Sequence, residues 1–295
     1  MADCPEPALI ENIFELRKFL SVLSKSSALY LDIEGWNLSR HGTVSIITIL
    51  AYPANQTQLI DVSALGGLAF STASEDGKTL RSVLEDHSIC KYIWDVRNDA
   101  NALWFHYGVS LGGITDVQLL ENASRSDDKT YVRGLDKCVQ FDLKLGFMKT
   151  NRWLRTKQEI KKLMHTDVFS VRPMDPKTKI YCQNDVIYLP ALREMYMARI
   201  KPEWLVKAKE ESERRVTQAQ TPEYDPQSER KKLGPWGSGG NERILTIDQM
   251  CEMLEEAREE AIERDLFGYD DEWDQEGPGD YEDWGALHSD WDTNS

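Results

Sequence analysis

The sequence predicts an α/β fold, a mixed sheet flanked by helices, with a largely disordered acidic C-terminal extension. Three observations predict it. Short apolar runs of strand length, bounded by turn-forming residues, occupy much of residues 28–117. Mostly helical patterning follows from Val132 onward. A final stretch, residues 265–295, holds eleven acids and no Lys or Arg. Short apolar runs between turn signals suit buried strands, whereas a segment of high net charge and few apolar residues cannot bury enough surface to fold.

A helix is expected around Asn12–Leu23. Ala28–Ile33 (ALYLDI) is a first short strand, Val44–Ala51 (VSIITILA), rich in β-branched residues, a second, and Gln58–Val62 (QLIDV) a third. Gly35, Gly42, Pro53 and Asn55 lie between them as turn formers, so the three make an antiparallel meander. Lys78–Glu85 reads as a helix and Lys91–Trp94 as a strand. Asp99–His106 is a helix ended by Tyr107–Gly108, and Ile114–Val117 is a further strand. The helical part closes with Lys177–Tyr196, where Pro190 interrupts the last turns because it lacks an N–H. This order resembles the ribonuclease H-like arrangement, a pattern that other α/β folds also fit. Beyond residue 200 the signals weaken. Lys201–Arg215 extends as a polar helix, and Thr217–Asn241 is a linker containing GPWGSGG. Ile247–Arg264 is a short charged helix, with Thr246 and Gln249 as a capping box. The expected organisation is a main domain over 8–200, a polar helix and Gly/Pro-containing linker over 201–245, a short charged helix over 246–264, and an acidic, Trp-containing tail over 265–295.

A hydrophobic content of 41% over 295 residues permits a sizeable core. The net charge of −15 argues against a polyanion as partner until it is divided along the chain. Residues 1–200 contain 24 basic and 24 acidic residues, whereas residues 201–295 contain 11 and 26, so the main domain is neutral. No apolar run is long enough to span a bilayer, and MADCPEPALIENIFEL lacks the basic-then-apolar order of a secretory signal. A soluble intracellular protein, nuclear or cytoplasmic, with no membrane partner is expected. The five cysteines (Cys4, Cys90, Cys138, Cys182, Cys251) form no C-x-x-C pair, so they suggest neither a zinc knuckle nor a disulfide framework.

Three features carry chemistry. Asp32 and Glu34 end an otherwise apolar strand, and strand alternation points both the same way, close enough to share a cation. Oxygen-only ligands of this kind favour Mg²⁺ or Mn²⁺ over zinc; a strand end that meets solvent fits the pair equally well. In KYIWDVRNDANALWFHYG (91–108) a short strand leads into an acidic helix start. Asp99 lies in the first turn, favoured by the helix dipole, and Asp95 reads as a possible cap, so the choice between them stays open. In YCQND (181–185), Tyr181 and Asp185 stand at i and i+4 on one helix face. There they address one water or metal together, or form a simple surface pair.

Taken in order, LDIEG (Asp32, Glu34), WDVRNDANAL (Asp99) and YCQNDVIYLP (Tyr181, Asp185) resemble the motifs of the DEDD-type 3′→5′ exonucleases with tyrosine in the third motif. That group includes ribonuclease D, the Werner-type exonuclease domain and Egalitarian-like proteins. GGITDVQLLE, with Asp116, and VRPMDPKTKIYCQND add further similarity, and the resemblance covers roughly residues 8–200. It implies phosphodiester hydrolysis with two Mg²⁺ or Mn²⁺ ions. Asp32 would bind both, Glu34 and Asp185 the nucleophile-side ion, and Asp99 the leaving-group side, partly through water. Tyr181 would orient the attacking water.

For a nucleic-acid partner, single-stranded or 3′-overhanging RNA or DNA, the sequence offers Lys144–Lys162, with seven basic residues against Glu159. Lys149, Arg152, Trp153 and Arg155 are its candidate contacts, although a solvated helix face with Trp153 in the core fits as well. Trp36 is a candidate to stack on a terminal base or to pack inside. The rival to an active nuclease is a catalytically inactive adaptor that keeps the fold and binds nucleic acid. Adaptors of this sort can lose metal-binding carboxylates, whereas the four acids and the tyrosine are present here. In the tail, Trp273, Trp284 and Trp291 sit among acids, in a pattern that suits docking to a protein partner's basic groove or to the chain's own basic stretch, and that a solubilising tail with incidental tryptophans fits as well. A tail that competes with nucleic acid predicts stronger binding at low salt once residues 265–295 are deleted; unchanged affinity rules out self-inhibition.

Overall fold

The computed structural model describes residues 7–23 and 26–237. The expected helix 246–264 and the acidic tail lie outside the described residues. In chain order the elements are β1 (Ala8–Ile10), α1 (Ile13–Leu23), β2 (Ala28–Glu34), β3 (Ile46–Tyr52) and β4 (Gln56–Asp61). The short helices α2 (Val62–Leu65), α3 (Leu68–Ser71) and α4 (Leu80–Glu85) follow, then β5 (Cys90–Ile93), α5 (Arg97–Tyr107) and β6 (Ile114–Asp116). The helical part comprises α6 (Val117–Ser124), α7 (Leu135–Phe141), α8 (Phe147–Lys161), α9 (Pro176–Ile187), α10 (Leu189–Arg199), α11 (Pro202–Ala219) and a 3₁₀ turn at Glu229–Lys232.

The six strands form one mixed sheet in the order β1-β4-β3-β2-β5-β6. The expected meander is present, since β2 pairs antiparallel with β3 and β3 with β4. Edge strand β1 pairs parallel with β4; at three residues it is too short to show a period in sequence. β5 and β6 add parallel strands on the other side of β2, the usual outcome when helices connect successive strands. The helix after Pro176 ends at Ile187 and resumes at Leu189, with Pro190 in the opening turn of α10, where its missing N–H removes no helical bond.

Period-two alternation along β2 divides the core. Leu29, Leu31 and Ile33 pack with Leu16, Leu20, Ala100 and Leu103 on one face of the sheet. Ala28 and Tyr30 face the other way, toward Val186, Leu189 and Trp153. Asp32 and Glu34 share their parity, so the strand delivers both carboxylates to the side covered by α8 and α9.

Sequence pattern alone closes the domain near residue 200, but among the described residues the compact unit continues to residue 237. Helix α11 packs against α5, α6 and β6, burying Ala208, Ser212, Arg215, Val216 and Ala219. Arg215 explains why the helix looked solvated in sequence: its partners are distant in the chain. Its Nη1 donates to Asp116 Oδ2 at 2.7 Å and to Gln118 Oε1 at 3.0 Å, and it lies 3.7 Å from Asp95 Oδ1. Among the described residues no helix is long and apolar enough to cross a membrane. Arg215→Ala is expected to cost about 3–5 kcal/mol, since it leaves the buried Asp116 carboxylate without its charged partner. Urea unfolding measures it, and a loss below about 1 kcal/mol contradicts this role.

Candidate active site

The last even-parity positions of β2 supply Asp32 and Glu34. Behind them the chain turns sharply at Gly35, where any Cβ would lie 2.1 Å from the carbonyl oxygen of Thr43, so glycine is required for the close approach. Helix α9 packs on β2, β3 and β4. Its Tyr181 and Asp185, one turn apart, are both buried on the inward face. As a result, carboxylate oxygens of Asp32, Glu34 and Asp185 lie within 4.8 Å of one another.

Asp99, in the first turn of α5, is buried outside that trio as an electrostatic neighbour of Asp32. Asp99 Oδ1 and Asp32 Oδ2 are buried oxygens without a hydrogen-bond partner among the described residues. Asp95 has a different fate. With a left-handed backbone (φ 57°), it accepts from Arg97 Nη2 at 2.7 Å. Burial works against its charge, yet Arg97, Arg215 and Lys231 outweigh it and hold its carboxyl below the ordinary range. Nor does Asp95 cap α5. Helix α5 has no side-chain cap; Asp116, the N-cap of α6, instead accepts from the backbone N–H of Asp95 (2.9 Å) and Val96 (3.2 Å), just ahead of α5, and of Gln118 (3.0 Å). One carboxylate thus secures the entries to both α5 and α6.

Burial first, and then the charge on Asp185, push Asp32 up to about 7 from an ordinary 3.8. Burial and the neighbouring Asp32 and Asp185 raise Glu34 well above its usual range, and burial with Asp32 and Asp95 does the same to Asp99. Tyr181 is also raised, by burial and by the three carboxylates, so its phenol stays protonated.

Lys157 belongs to this site, although sequence pattern did not separate it from the other cations of the basic run. Its Nζ donates to Asp185 Oδ1 at 2.8 Å and lies 5.2 Å from the ring centre of Trp153 and 5.7 Å from that of Tyr181. Burial opposes its charge, but Asp185, Asp32 and Glu34 outweigh burial and keep the ammonium protonated. The signal that finds it is helical spacing: Trp153, Lys157 and Ile160 recur on the inward face of α8, with Trp153 and Ile160 buried. Lys149, Arg152 and Arg155 are exposed, Lys149 in the first turn of the helix. Trp153 is corrected from a candidate nucleic-acid contact to a core residue. Only 3% of it is exposed, and its indole N–H donates to the carbonyl of Asn184 at 3.3 Å. Trp36, by contrast, is 44% exposed beside the site. A cavity of about 300 Å³ adjoins Glu34 and is lined also by Asn37, Leu38, Asn98, Met164, Phe169 and Gln227.

One ammonium does not neutralise this many carboxylates, and two buried oxygens have no partner. The all-oxygen donor set fits a hard divalent cation, with Asp32, Glu34 and Asp185 as the residues to hold it and Asp99 beside them.

A family model described as 3′-5′ exonuclease matches residues 7–199. Among curated relatives, the piRNA biogenesis protein EXD1 of Xenopus laevis is 29% identical over 178 residues, 58% of this chain and 37% of that protein. The human EXD1 is 25% identical over 174 residues, 58% of this chain and 32% of that protein. The chain thus spans about a third of the length of these relatives. Trypanosoma brucei RNase D, solved with GMP, superposes with a TM-score of 0.59 at 20% identity, covering 73% of this chain and 65% of that one. Escherichia coli RNase D gives 0.54 at 19% identity, covering 74% and 51%. At these identities the likeness is one of fold, and the mixed sheet with its flanking helices is RNase D-like.

The raised carboxyl groups set a pH dependence. Protonation stabilises the metal-free fold below the ordinary Asp value of 3.8, and that contribution is lost as pH rises through about 7, the value for Asp32. A divalent ion held by these carboxylates would replace the protons. Thermal melts should therefore show a larger gain from Mn²⁺ at about pH 8 than at about pH 5; equal gains contradict metal binding by these groups.

Proposed function

The chain belongs to the 3′-5′ exonuclease family, and we propose that it is an active, metal-dependent 3′→5′ exonuclease that removes nucleotides from single-stranded or 3′-overhanging nucleic acid. The observation that carries this reading is the convergence of Asp32, Glu34 and Asp185 within 4.8 Å beside the unpartnered oxygens of Asp32 and Asp99. Asp32, Glu34 and Asp185 hold the divalent ions, two in number, with Asp99 completing the set. Bound there, Mg²⁺ or Mn²⁺ supplies a water of lowered pKa and stabilises the charge that develops on the attacking and leaving oxygens. Tyr181, kept neutral by its surroundings, donates its O–H to the attacking water and aims it. Lys157 offsets the charge of Asp185 and keeps Tyr181 and Asp185 in a fixed relation. Exposed Lys149, Arg152 and Arg155 attract the phosphate backbone, and Trp36 offers a stacking surface. The names of the relatives, a piRNA biogenesis protein and RNase D, favour RNA as the polymer and an intracellular site of action.

One observation favours a second reading. Lys157 already places a positive charge on Asp185, as an adaptor that binds nucleic acid without metal would require. End-labelled RNA and DNA incubated with Mg²⁺ or Mn²⁺ separate the two. Wild type should shorten the strand stepwise from the 3′ end. Asp32→Ala and Asp185→Asn should each lose several kcal/mol of transition-state stabilisation, on the order of a hundredfold or more in rate. Binding by wild type without metal-dependent shortening establishes the adaptor instead.

A further inference from the structure

Residues 221–237 lie beyond the family-matched stretch, which ends at 199, yet they return to the domain, and Gln227 among them lines the cavity beside Glu34. Several contacts hold this strap. Arg40, from the loop after Glu34, donates to the carbonyls of Thr221 (2.5 Å), Pro222 (3.1 Å) and Tyr224 (3.1 Å). Arg97 donates to the carbonyl of Lys231 at 2.8 Å. Lys231 Nζ and the Tyr224 hydroxyl both donate to Asn98 Oδ1, at 2.9 and 2.7 Å. Because an ammonium can only donate, these contacts fix which end of the Asn98 amide faces the strap and leave its NH₂ on the other side. Gln227 Nε2 donates to Asn37 Oδ1 at 3.0 Å, using one donor and one acceptor of two carboxamides that have more of each.

The 300 Å³ cavity between these groups has two kinds of lining. Leu38, Met164 and Phe169 are apolar, whereas Asn37, Asn98 and Gln227 present amides, and Glu34 joins the cavity to the carboxylate cluster. A nucleoside has the matching chemistry, with flat apolar faces and edges that donate and accept hydrogen bonds. The volume lies at the lower end of the roughly 300–1,000 Å³ usual for small-ligand sites, which suits one nucleotide rather than a longer segment.

We infer that the strap over residues 221–232 forms one wall of the pocket for the terminal nucleotide, and that Gln227 contacts that nucleotide as a specificity-determining residue. The inference rests on the exonuclease reading for its substrate and adds a segment beyond the family-matched region. Gln227 is exposed, so substituting it should leave folding intact.

The test uses the full chain, wild type and Gln227→Ala, with short single-stranded RNA and DNA of one sequence and with AMP and dAMP as binding probes in Mn²⁺. Loss of a hydrogen bond made equally in ground and transition states should raise KM roughly two- to tenfold and leave kcat and Tm unchanged. Mononucleotide affinity should fall by a similar factor. Gln227→Glu, similar in shape but without the donor amide and negatively charged near Glu34, should be weaker still. A loss for AMP alone puts the contact on the 2′-hydroxyl and a loss for both on the base; either supports the wall. If wild type shortens strands and Gln227→Ala matches it in KM and mononucleotide affinity, this inference falls and the exonuclease reading stands. If wild type binds AMP without shortening strands, and Gln227→Ala weakens that binding, the reverse holds. If wild type neither shortens nor binds, both fall.

Discussion

Like-charged carboxylates gathered in a buried place repel one another, and water is not there to screen them. In this chain Asp32, Glu34 and Asp185 come within 4.8 Å, with Asp99 nearby, and the consequences run through the rest of the molecule. The carboxyl groups of Asp32, Glu34 and Asp99 are pushed up, Tyr181 keeps its proton, and a lysine is drawn onto Asp185. The arrangement costs stability unless a cation offsets it, and that cost is the physical ground for proposing a divalent ion there.

Such a cluster needs a stiff frame. Part of the frame is the meander, whose pleat delivers two carboxylates on one face. Another part is Asp116, which secures the start of α5 through two backbone N–H groups and is itself held by Arg215 from α11. The helix that carries Asp99 is thus anchored by an element more than a hundred residues away in sequence. The strap after α11 uses the same region, since Lys231 and Tyr224 grip Asn98 beside Asp99. Frame and pocket wall are therefore one structure, and the unit does not end where the family-matched stretch does.

The basic run shows how one helix separates charge by face. Lys157 points inward at helical spacing from Trp153 and Ile160, while Arg152 and Arg155 point outward and Lys149, on the inward stripe but in the first turn, is exposed. The inward cation serves the carboxylates, whereas Arg155 on the exposed side pairs with Glu159. Composition treats these residues alike; their angle around the helix and their distance from its start distinguish them.

Sequence by itself determined the α/β class, the meander, the interruption at Pro190 and the neutral charge of the main domain. These follow from local rules: strand alternation, turn chemistry, the missing proline N–H and simple counting. The parity of Asp32 and Glu34 and the one-turn spacing of Tyr181 and Asp185 were legible for the same reason. The choice of Asp99 over Asp95 rested on resemblance, and local chemistry left it open. The tertiary structure separates the two, because Arg97 and Arg215 occupy Asp95 while an oxygen of Asp99 stays unpartnered next to Asp32. It also decided the burial of Trp153, the role of Lys157 and the return of residues 202–237 onto the domain. Each depends on a partner far along the chain, and a charged helix with distant partners has the same sequence as one that faces water.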